Sequence, residues 1–289
     1  MKNVVITGSS KGIGKGYARE FLKRGHNVAI CGRSKASIDH ALAELERDAT
    51  NGAKVIGQVC DVADEIQLQA LWDLAETQFG CVDIWINNAG FARSGVTLLT
   101  LKSEEIKAMI DANVIGGMKA AQIAMNGMKE QEGGGHIYMT MGAGHDGAVI
   151  PGMIGYGTTK RAVHYFAESL VNETKGTSIR VSTISPGMNV TEGMLEQMQS
   201  AAATMSPEEI KKMFRPINIM GDYVETTTPW TVDQILQNNN QHGNHIAWMT
   251  KTKLLGRFIS ALFTKRDLIS RFNITPAQEP SVHAQEVKS

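Results

Sequence analysis

Short apolar runs alternate with longer amphipathic stretches from the first residues of the chain to Ser185. Runs with little polar alternation are typical of strands covered on both faces, and regular βαβ alternation is typical of a parallel sheet. The pattern therefore predicts an α/β fold, a doubly wound parallel sheet with helices on both faces. Strands are predicted at 3–7, 27–31, 53–60, 82–86, 136–141 and 179–185, and helices at, for example, 14–23, 35–49 and 65–79.

After residue 187 the strand signal fades, helical patterns continue, and a basic amphipathic stretch follows, MTKTKLLGRFISALFTKRDL. We predict one domain over residues 1–275. Within it we expect a substrate lid at about 188–225 and an amphipathic C-terminal segment at about 248–272. The polar residues 276–289 are expected to form a disordered tail.

Charge and cysteine usage exclude several classes of function. The formal net charge is zero, which gives no reason to expect nucleic acid as a partner. Cys31, Cys60 and Cys81 lack the spacing of a metal site, so we expect reduced thiols and no bound metal.

No apolar run reaches the roughly 18 residues of a membrane-spanning helix. No signal or transit segment is visible, and we expect a cytoplasmic protein.

A glycine-rich turn, TGSSKGIG, lies between the first predicted strand and the first predicted helix. Gly8 permits a tight turn, Gly12 lets the backbone approach a pyrophosphate, and Gly14 allows close packing of helix on sheet. The start of the helix offers unpaired N–H groups and a partial positive charge to phosphates. The turn therefore predicts dinucleotide binding, and its other expected contacts are Ser9, Ser10, Lys11 and Ile13.

The end of the second predicted strand, CGRS, indicates which dinucleotide is preferred. Sites for NAD usually place an acid near this point to hold the ribose 2′-hydroxyl. Here Gly32 is followed by Arg33 and Ser34, and Lys11 lies in the glycine-rich turn. Two cations without a carboxylate favour an extra 2′-phosphate, so NADPH/NADP+ is the predicted cofactor.

Four further motifs join TGSSKGIG: NNAG (87–90), DANVIG around Asn113, YGTTK (156–160) and SPGMNVT (185–191). In this order the chain resembles the short-chain dehydrogenase/reductase family. The resemblance implies a Rossmann-type seven-stranded sheet, a dimer or tetramer, and hydride transfer to or from nicotinamide. It also implies cofactor contacts from Asp61 and Val62 near the adenine, Asn88, Ala89 and Gly90 near the adenosine, and Pro186, Gly187 and Thr191 at the nicotinamide.

A narrower resemblance is carried by WINNAG, GGHIYMTMGAGHDG, YGTTKRAV and SPGMNVTEGML. These stretches are similar to the chlorophyll b reductase branch of the family, and the similarity continues more faintly through 245–266. That branch reduces the 7-formyl group of chlorophyll b to a hydroxymethyl group with NADPH. It usually has an acid just before GAG, where this chain has Met141. A relative acting on another bulky aldehyde or ketone fits the residues equally well.

Tyr156 and Lys160 lie four positions apart on a predicted helix and so share one face. A free phenol has a pKa near 10, and we expect the neighbouring ammonium to lower it. The resemblance implies that Tyr156 donates a proton to the carbonyl oxygen and that Lys160 bonds the nicotinamide ribose. It also implies that Asn113 holds a water that passes protons to Lys160.

The family's catalytic serine is missing, because Gly142 stands in its place. One interpretation is that glycine clears room for a wide, flat substrate. Tyr156 then polarises the carbonyl alone or together with a backbone N–H of Ala143 or Gly144. We expect Gly142, Ala143 and Met188 to lie near the substrate.

Two other interpretations remain open at this stage. His145 or Thr140 could replace the serine as a donor. Alternatively, catalysis could be lost and the protein could bind NADP(H) as a regulator. Our expectation is an NADPH-dependent carbonyl reductase of a bulky apolar aldehyde or ketone, such as the 7-formyl group of chlorophyll(ide) b; steroid-like, acyl or terpenoid ketones are alternatives.

The amphipathic C-terminal segment has two interpretations as well. Its apolar side chains could pack in the domain core or against another subunit of a homo-oligomer, or they could lie in a membrane surface beside the cations. The apolar positions are Leu254, Leu255, Phe258, Ile259, Leu262 and Phe263; the cations are Lys251, Lys253, Arg257, Lys265 and Arg266. The family's usual ending, a strand followed by an acidic-glycine turn, is not visible in the sequence.

Overall fold

The computed structural model describes residues 1–203, 205–238, 241–272 and 274, which form two compact units. The first unit consists of Met1–Gly187 and Val224–Met249, and the second of Met188–Tyr223 and the described residues from Thr250 onward. The predicted tail at 276–289 lies outside the described residues.

The strands agree closely with the prediction through Ser185. They are β1 (Asn3–Ile6), β2 (Asn27–Gly32), β3 (Val55–Val59), β4 (Ile84–Asn87), β5 (Gly135–Thr140), β6 (Ile179–Ser185), β7 (Met188–Val190), β8 (Gly221–Tyr223) and β9 (His245–Ala247).

The helices are α1 (Gly12–Lys23), α2 (Lys35–Leu45), α3 (Glu65–Phe79), α4 (Ser103–Met109), α5 (Gly116–Glu130), α6 (Ile154–Glu173), α7 (Glu192–Ala202), α8 (Pro207–Met220), α9 (Val224–Gln237) and α10 (Lys251–Ser260). Short 3₁₀ turns at 46–48 and 270–272 and a π-helical turn at 110–115 complete the described helical structure.

The first unit contains a seven-stranded parallel sheet in the order β3-β2-β1-β4-β5-β6-β9. Strand residues alternate between two buried clusters, one on each face: Val5 and Trp85 belong to one, and Val4 and Ile84 to the other. The strand order reverses between β1 and β4, and ligands of such sheets bind at the carboxyl ends beside this point. The predicted doubly wound α/β fold is confirmed.

Local sequence explains where the helices begin and end. The Asp64 carboxylate accepts from the amides of Ile66 and Gln67 and caps α3, which ends at Gly80 with a positive φ of 85°. The 35–49 helix prediction was too long, because α2 ends at Leu45 and a 3₁₀ turn follows.

The seventh strand, β9, corrects the expectation that the family's usual last strand is missing. It pairs in parallel with β6, and the Trp248 amide donates to the Ser185 carbonyl at 2.9 Å. With only three residues, β9 is too short to leave a recognisable period in the sequence.

The second unit has its own small core. Strands β7 and β8 form a parallel pair, and α7 and α8 pack Met198 and Ile217 beside Val190. Met194 and Met213 pack against this core, so the methionines of the predicted lid fill an apolar interior in part. None of the described helices combines the length and the apolarity needed to cross a bilayer.

Candidate active site

The glycine-rich turn after β1 has the backbone that phosphate binding requires. Gly8 and Gly12 have φ angles of 62° and 59°, in the left-handed region that favours glycine. A Cβ atom on Gly8 would lie 2.7 Å from the Ala89 Cα, and one on Gly14 would lie 2.6 Å from the Asn88 Nδ2. The first turn of α1 contains no acidic residue to compete with a phosphate. The residues of the turn therefore fit a dinucleotide.

The end of β4 is tied to this turn by side-chain hydrogen bonds. The Asn88 Nδ2 donates to the carbonyls of Thr7 (3.0 Å) and Gly8 (3.2 Å). The amides of Asn88 and Ala89 both donate to the Thr7 Oγ1 at 3.0 Å. Thr7 opens the predicted motif, but its bridging role could not be read from the sequence because its partners lie about 80 residues away.

Ser9 and Ser10, both predicted cofactor contacts, have different surroundings. The buried Ser9 Oγ donates to the Ile6 carbonyl and accepts from the Cys31 amide at 3.0 Å, so it joins β1 to β2. A Cβ on Gly32 would lie 2.5 Å from the Ser10 Oγ. An acid at position 32, as in NAD sites, would therefore displace Ser10.

Arg33 and Ser34 follow the end of β2 and are exposed, as is Lys11 at the start of α1. Ile13 is half-buried in the first turn of α1 and packs against the core on that face. Two cations therefore lie near the end of β2 and the glycine-rich turn, as the preference for a 2′-phosphate requires.

Asp61 and Val62 lie beyond the end of β3. The Asp61 Oδ1 accepts from the Ala63 amide at 3.0 Å, and the Asp61 amide donates to the Gln67 Oε1 at 2.9 Å, so the loop is fixed locally. Val62 is buried, and a Cβ on Gly116 would lie 2.8 Å from its carbonyl oxygen.

Asn113 lies inside the π-helical turn between α4 and α5 and is buried. Its Nδ2 donates to the Phe91 carbonyl (2.8 Å) and the Thr159 Oγ1 (2.9 Å), and its Oδ1 accepts from the Phe91 amide (2.7 Å). Thr159, which the sequence analysis did not single out, precedes Lys160 on α6. Gly90 is exposed, and a Cβ there would lie 3.1 Å from the Asn113 Oδ1.

Lys160 is buried on α6, only 5% exposed, and its ammonium donates to the Thr140 carbonyl at the end of β5 at 2.8 Å. Its Nζ lies 5.8 Å from the centre of the Tyr156 ring. Burial lowers the pKa of Lys160 from 10.5 to about 8. Burial also raises the pKa of Tyr156 to about 12. The expectation that the ammonium lowers the phenol pKa is wrong for this structure, because desolvation opposes the charged form of both groups.

A cavity of about 10 Å³ lies beside these groups, lined among others by Asn87, Asn113, Thr140 and Lys160. This volume holds about one water molecule. The Thr140 Oγ1 is buried and has no hydrogen-bond partner among the described residues. Whether Thr140 replaces the missing serine stays a prediction.

Gly142 lies directly against the tyrosine hydroxyl. A Cβ on Gly142 would lie 2.3 Å from the Tyr156 Oη and 3.1 Å from the Lys160 Cε. The space of the family's serine is therefore taken by Tyr156 itself. The His145 Nδ1 lies 2.8 Å from the Gly142 carbonyl, where it must donate, so His145 fixes the loop. The next glycine, Gly144, has a φ of 89°.

Two loops at the carboxyl ends of β4 and β5 carry exposed apolar side chains. They meet where the Gly95 amide donates to the Gly152 carbonyl at 2.9 Å. Leu99 and Val149 are 97% and 96% exposed. We call the exposed set of these loops, together with Ile154 at the start of α6, the apolar rim: Leu98, Leu99, Val149, Ile150 and Ile154. The rim could not be predicted from the sequence, because isolated apolar residues in loops have no period.

Pro186, Gly187 and Thr191 were predicted at the nicotinamide and Met188 near the substrate, and each is described within its own unit. Pro186 is buried and Gly187 has a φ of 76°, with its Cα beside the Trp248 ring, in the first unit. Met188 begins β7 of the second unit, and Thr191 caps α7 there by accepting from the Met194 amide at 3.3 Å. Ala143, predicted near the substrate, is half-buried next to Gly142.

Comparison with known proteins was made against family models, curated sequences and solved structures. A family model described as short chain dehydrogenase matches residues 2–203. The Mycobacterium marinum short-chain type dehydrogenase/reductase, a crystal structure, has a TM-score of 0.72 at 27% identity, covering 85% of this chain and 93% of that one.

Among curated relatives, chlorophyll(ide) b reductase NOL, chloroplastic, of Oryza sativa subsp. japonica is 36% identical over 264 residues, 90% of this chain and 75% of that protein. Probable chlorophyll(ide) b reductase NYC1, chloroplastic, of Arabidopsis thaliana is 38% identical over 208 residues, 67% of this chain. The chain spans less than half, 42%, of that second relative. The chain belongs to the short-chain dehydrogenase family and is an oxidoreductase that acts on carbonyl or hydroxyl groups with a nicotinamide cofactor.

Proposed function

We propose that the protein reduces a carbonyl group of a bulky apolar substrate with NADPH, and that the 7-formyl group of chlorophyll(ide) b is such a substrate. The observation that carries the proposal is the contact between the Tyr156 hydroxyl and Gly142 at the carboxyl edge of the sheet. A serine side chain is absent there, and the apolar rim lies on the two loops that leave the same edge. The exposed apolar rim suits a wide apolar substrate, whereas the place of the missing serine is filled by Tyr156 and adds no room.

Tyr156 is the proton donor in this proposal. With a pKa of about 12 the phenol is neutral at pH 7, and it carries the proton that the carbonyl oxygen needs during reduction. The nicotinamide, when bound, supplies the hydride to the carbonyl carbon. The product is the alcohol, with the new O–H proton taken from the Tyr156 Oη.

Lys160 is suited to return a proton to the tyrosine. Its pKa of about 8 lies close to neutral pH, where a group can both accept and release a proton. The cavity of about 10 Å³ between Asn113 and Lys160 offers room for the water of a relay. Asn113 is fixed there by its bonds to Phe91 and Thr159.

Backbone amides can supply part of the polarisation that the serine would give. The amides of Ala143 and Gly144 donate to no group among the described residues. Preorganised N–H donors of this kind stabilise a developing oxyanion by a few kcal/mol in other enzymes. An aldehyde, which is more reactive than a ketone, needs this help least.

The preference for NADPH rests on Arg33 and Lys11, which lie near the end of β2 and the glycine-rich turn, and on the close contact of Gly32 with Ser10.

A cytoplasmic location and a homo-oligomer remain predictions; the names of the rice and Arabidopsis relatives describe chloroplastic proteins.

The test is to follow the absorbance of NADPH with chlorophyllide b and with a panel of apolar aldehydes. Oxidation of NADPH that depends on substrate, and its loss in Tyr156→Phe, supports the proposal. Tight NADPH binding with no oxidation by any substrate identifies the protein as a nucleotide-binding regulator instead. Oxidation by small aldehydes but not by chlorophyllide b removes the substrate assignment and leaves the reductase.

A further inference from the structure

Helix α10 presents its apolar side to solvent. Leu255, Phe258, Ile259 and Leu262 follow one another at the three- and four-residue spacing of one helix face. Their exposed fractions range from 48% for Phe258 to 79% for Leu262, which lies in the turn just beyond the helix together with Phe263, 82% exposed. We call these five residues the α10 apolar face.

The polar side of α10 is anchored inside the second unit. Asp222, on β8, is 4% exposed and pairs with Arg257 at 2.8 Å and with Arg266 at 3.0 Å. Both guanidinium groups also donate to the carbonyl of Gly221, at 3.1 and 3.0 Å. These contacts turn Arg257 of the helix and Arg266 beyond it inward, while the apolar face of the helix stays exposed.

A contiguous apolar face of this kind is rare on a soluble surface unless something binds there. The residues from 275 to 289 cannot provide a matching apolar cover, since they contain no leucine, isoleucine, methionine or aromatic residue.

Charge identifies the occupant. Residues 234–266 contain five lysines and arginines, of which Arg257 and Arg266 pair with Asp222, and contain no acidic residue before the exposed Asp267. Lys251 and Lys265 are exposed at the two ends of the α10 apolar face. A second copy docked through the same face would bring these like charges together across a two-fold axis. Anionic lipid headgroups, in contrast, complement them while acyl chains receive the phenylalanines and leucines.

We propose that α10 lies in the surface of an anionic bilayer, with the α10 apolar face in the acyl boundary and Lys251 and Lys265 at the headgroups. The helix of ten residues is about 15 Å long and lies parallel to the membrane plane. The proposal does not depend on the substrate, but it places the enzyme where apolar molecules dissolve.

The test is co-sedimentation of the full-length protein with vesicles. Phosphatidylcholine mixed with phosphatidylglycerol is compared with phosphatidylcholine alone. We expect sedimentation with the anionic vesicles, weakened by salt, and at least roughly tenfold weaker partitioning of the double variant Phe258→Ser/Leu262→Ser. Lys251→Glu/Lys265→Glu should lose the preference for phosphatidylglycerol.

The matched control is Ile66→Ser/Tyr165→Ser, which removes two exposed apolar side chains from α3 and α6, 81% and 72% exposed. It should sediment like the unchanged protein, and all variants should keep their NADPH affinity and thermal unfolding. No sedimentation of the unchanged protein, or equal sedimentation of the α10 double variant, would overturn the proposal. So would a dimer in light scattering that the α10 variant converts to monomer, because the face would then be a subunit interface.

Discussion

Replacing Lys160 by methionine should stabilise the ligand-free protein while abolishing reduction. Lys160 is 5% exposed, and burial lowers its pKa from 10.5 to about 8. A cation whose pKa falls by this amount on folding lowers the free energy of unfolding by about 3 kcal/mol at pH 7. Methionine has a similar length and no charge, so it removes this cost. It also leaves the Thr140 carbonyl without its 2.8 Å hydrogen bond, which costs about 1 kcal/mol.

The net expectation is a free energy of unfolding about 2 kcal/mol higher for Lys160→Met at pH 7. The unfolded lysine titrates near 10.5 and the folded one near 8, so the unfolded state binds more protons between these values. The stability contribution of wild-type Lys160 therefore rises with pH through this window. The advantage of the variant should shrink to almost nothing by about pH 9.5.

The assay is urea unfolding of the ligand-free protein at pH 7 and at about pH 9.5. Lys175→Met is the matched control, because Lys175 is exposed beyond the end of α6 and should change stability by less than about 0.5 kcal/mol. A destabilised Lys160→Met, or an advantage that does not change with pH, would refute the reasoning. Either result would mean that Lys160 is not held against a desolvation cost.

Three further predictions concern catalysis and the cofactor. Gly142→Ser should lower kcat at least roughly tenfold, because its Cβ would lie 2.3 Å from the tyrosine hydroxyl. The control Gly133→Ser, which has open space around it, should leave kcat unchanged. A faster Gly142→Ser enzyme would show that the place of the serine is vacant. In fluorescence titrations, Arg33→Asp should raise the dissociation constant of NADPH by roughly tenfold or more and that of NADH little, while Gly8→Ala should weaken the binding of both cofactors. If Arg33→Asp weakens the binding of NADPH and NADH equally, Arg33 does not recognise the 2′-phosphate. In the reductive direction kcat/KM should fall as pH rises through about 8, where Lys160 loses its proton, and a profile that stays flat to about pH 9 would exclude Lys160 as the proton source.

Elements whose signal is local could be predicted from the sequence. The strands of the first half and the TGSSKGIG turn depend on neighbouring residues, and the structure places them within a few positions of the expectation. The Tyr156 and Lys160 pair shares one face of α6 because of helix geometry alone. The short-chain dehydrogenase resemblance was confirmed for the same reason, since its motifs are short and contiguous.

Features that depend on three-dimensional contacts could not be predicted. The pKa values of Tyr156 and Lys160 depend on burial, which reverses the effect expected from their spacing. The contact of Gly142 with the tyrosine joins the end of β5 to α6, and no pattern along the chain shows it. The amphipathic pattern showed that α10 has an apolar face but not whether that face is buried or exposed. The orientation of the helix depends on the ion pair between Arg257 and Asp222, and Asp222 lies on β8, 35 residues earlier in the chain.

The most direct test of the central claim is the transfer of deuterium. Chlorophyllide b is incubated with NADPH that carries deuterium at both positions of nicotinamide C4, and the product is analysed by mass spectrometry. We expect one deuterium on the new hydroxymethyl carbon, with product formation lost in Tyr156→Phe and retained in Gly133→Ser. A hydroxymethyl product without deuterium, or equal product formation by Tyr156→Phe, would contradict it.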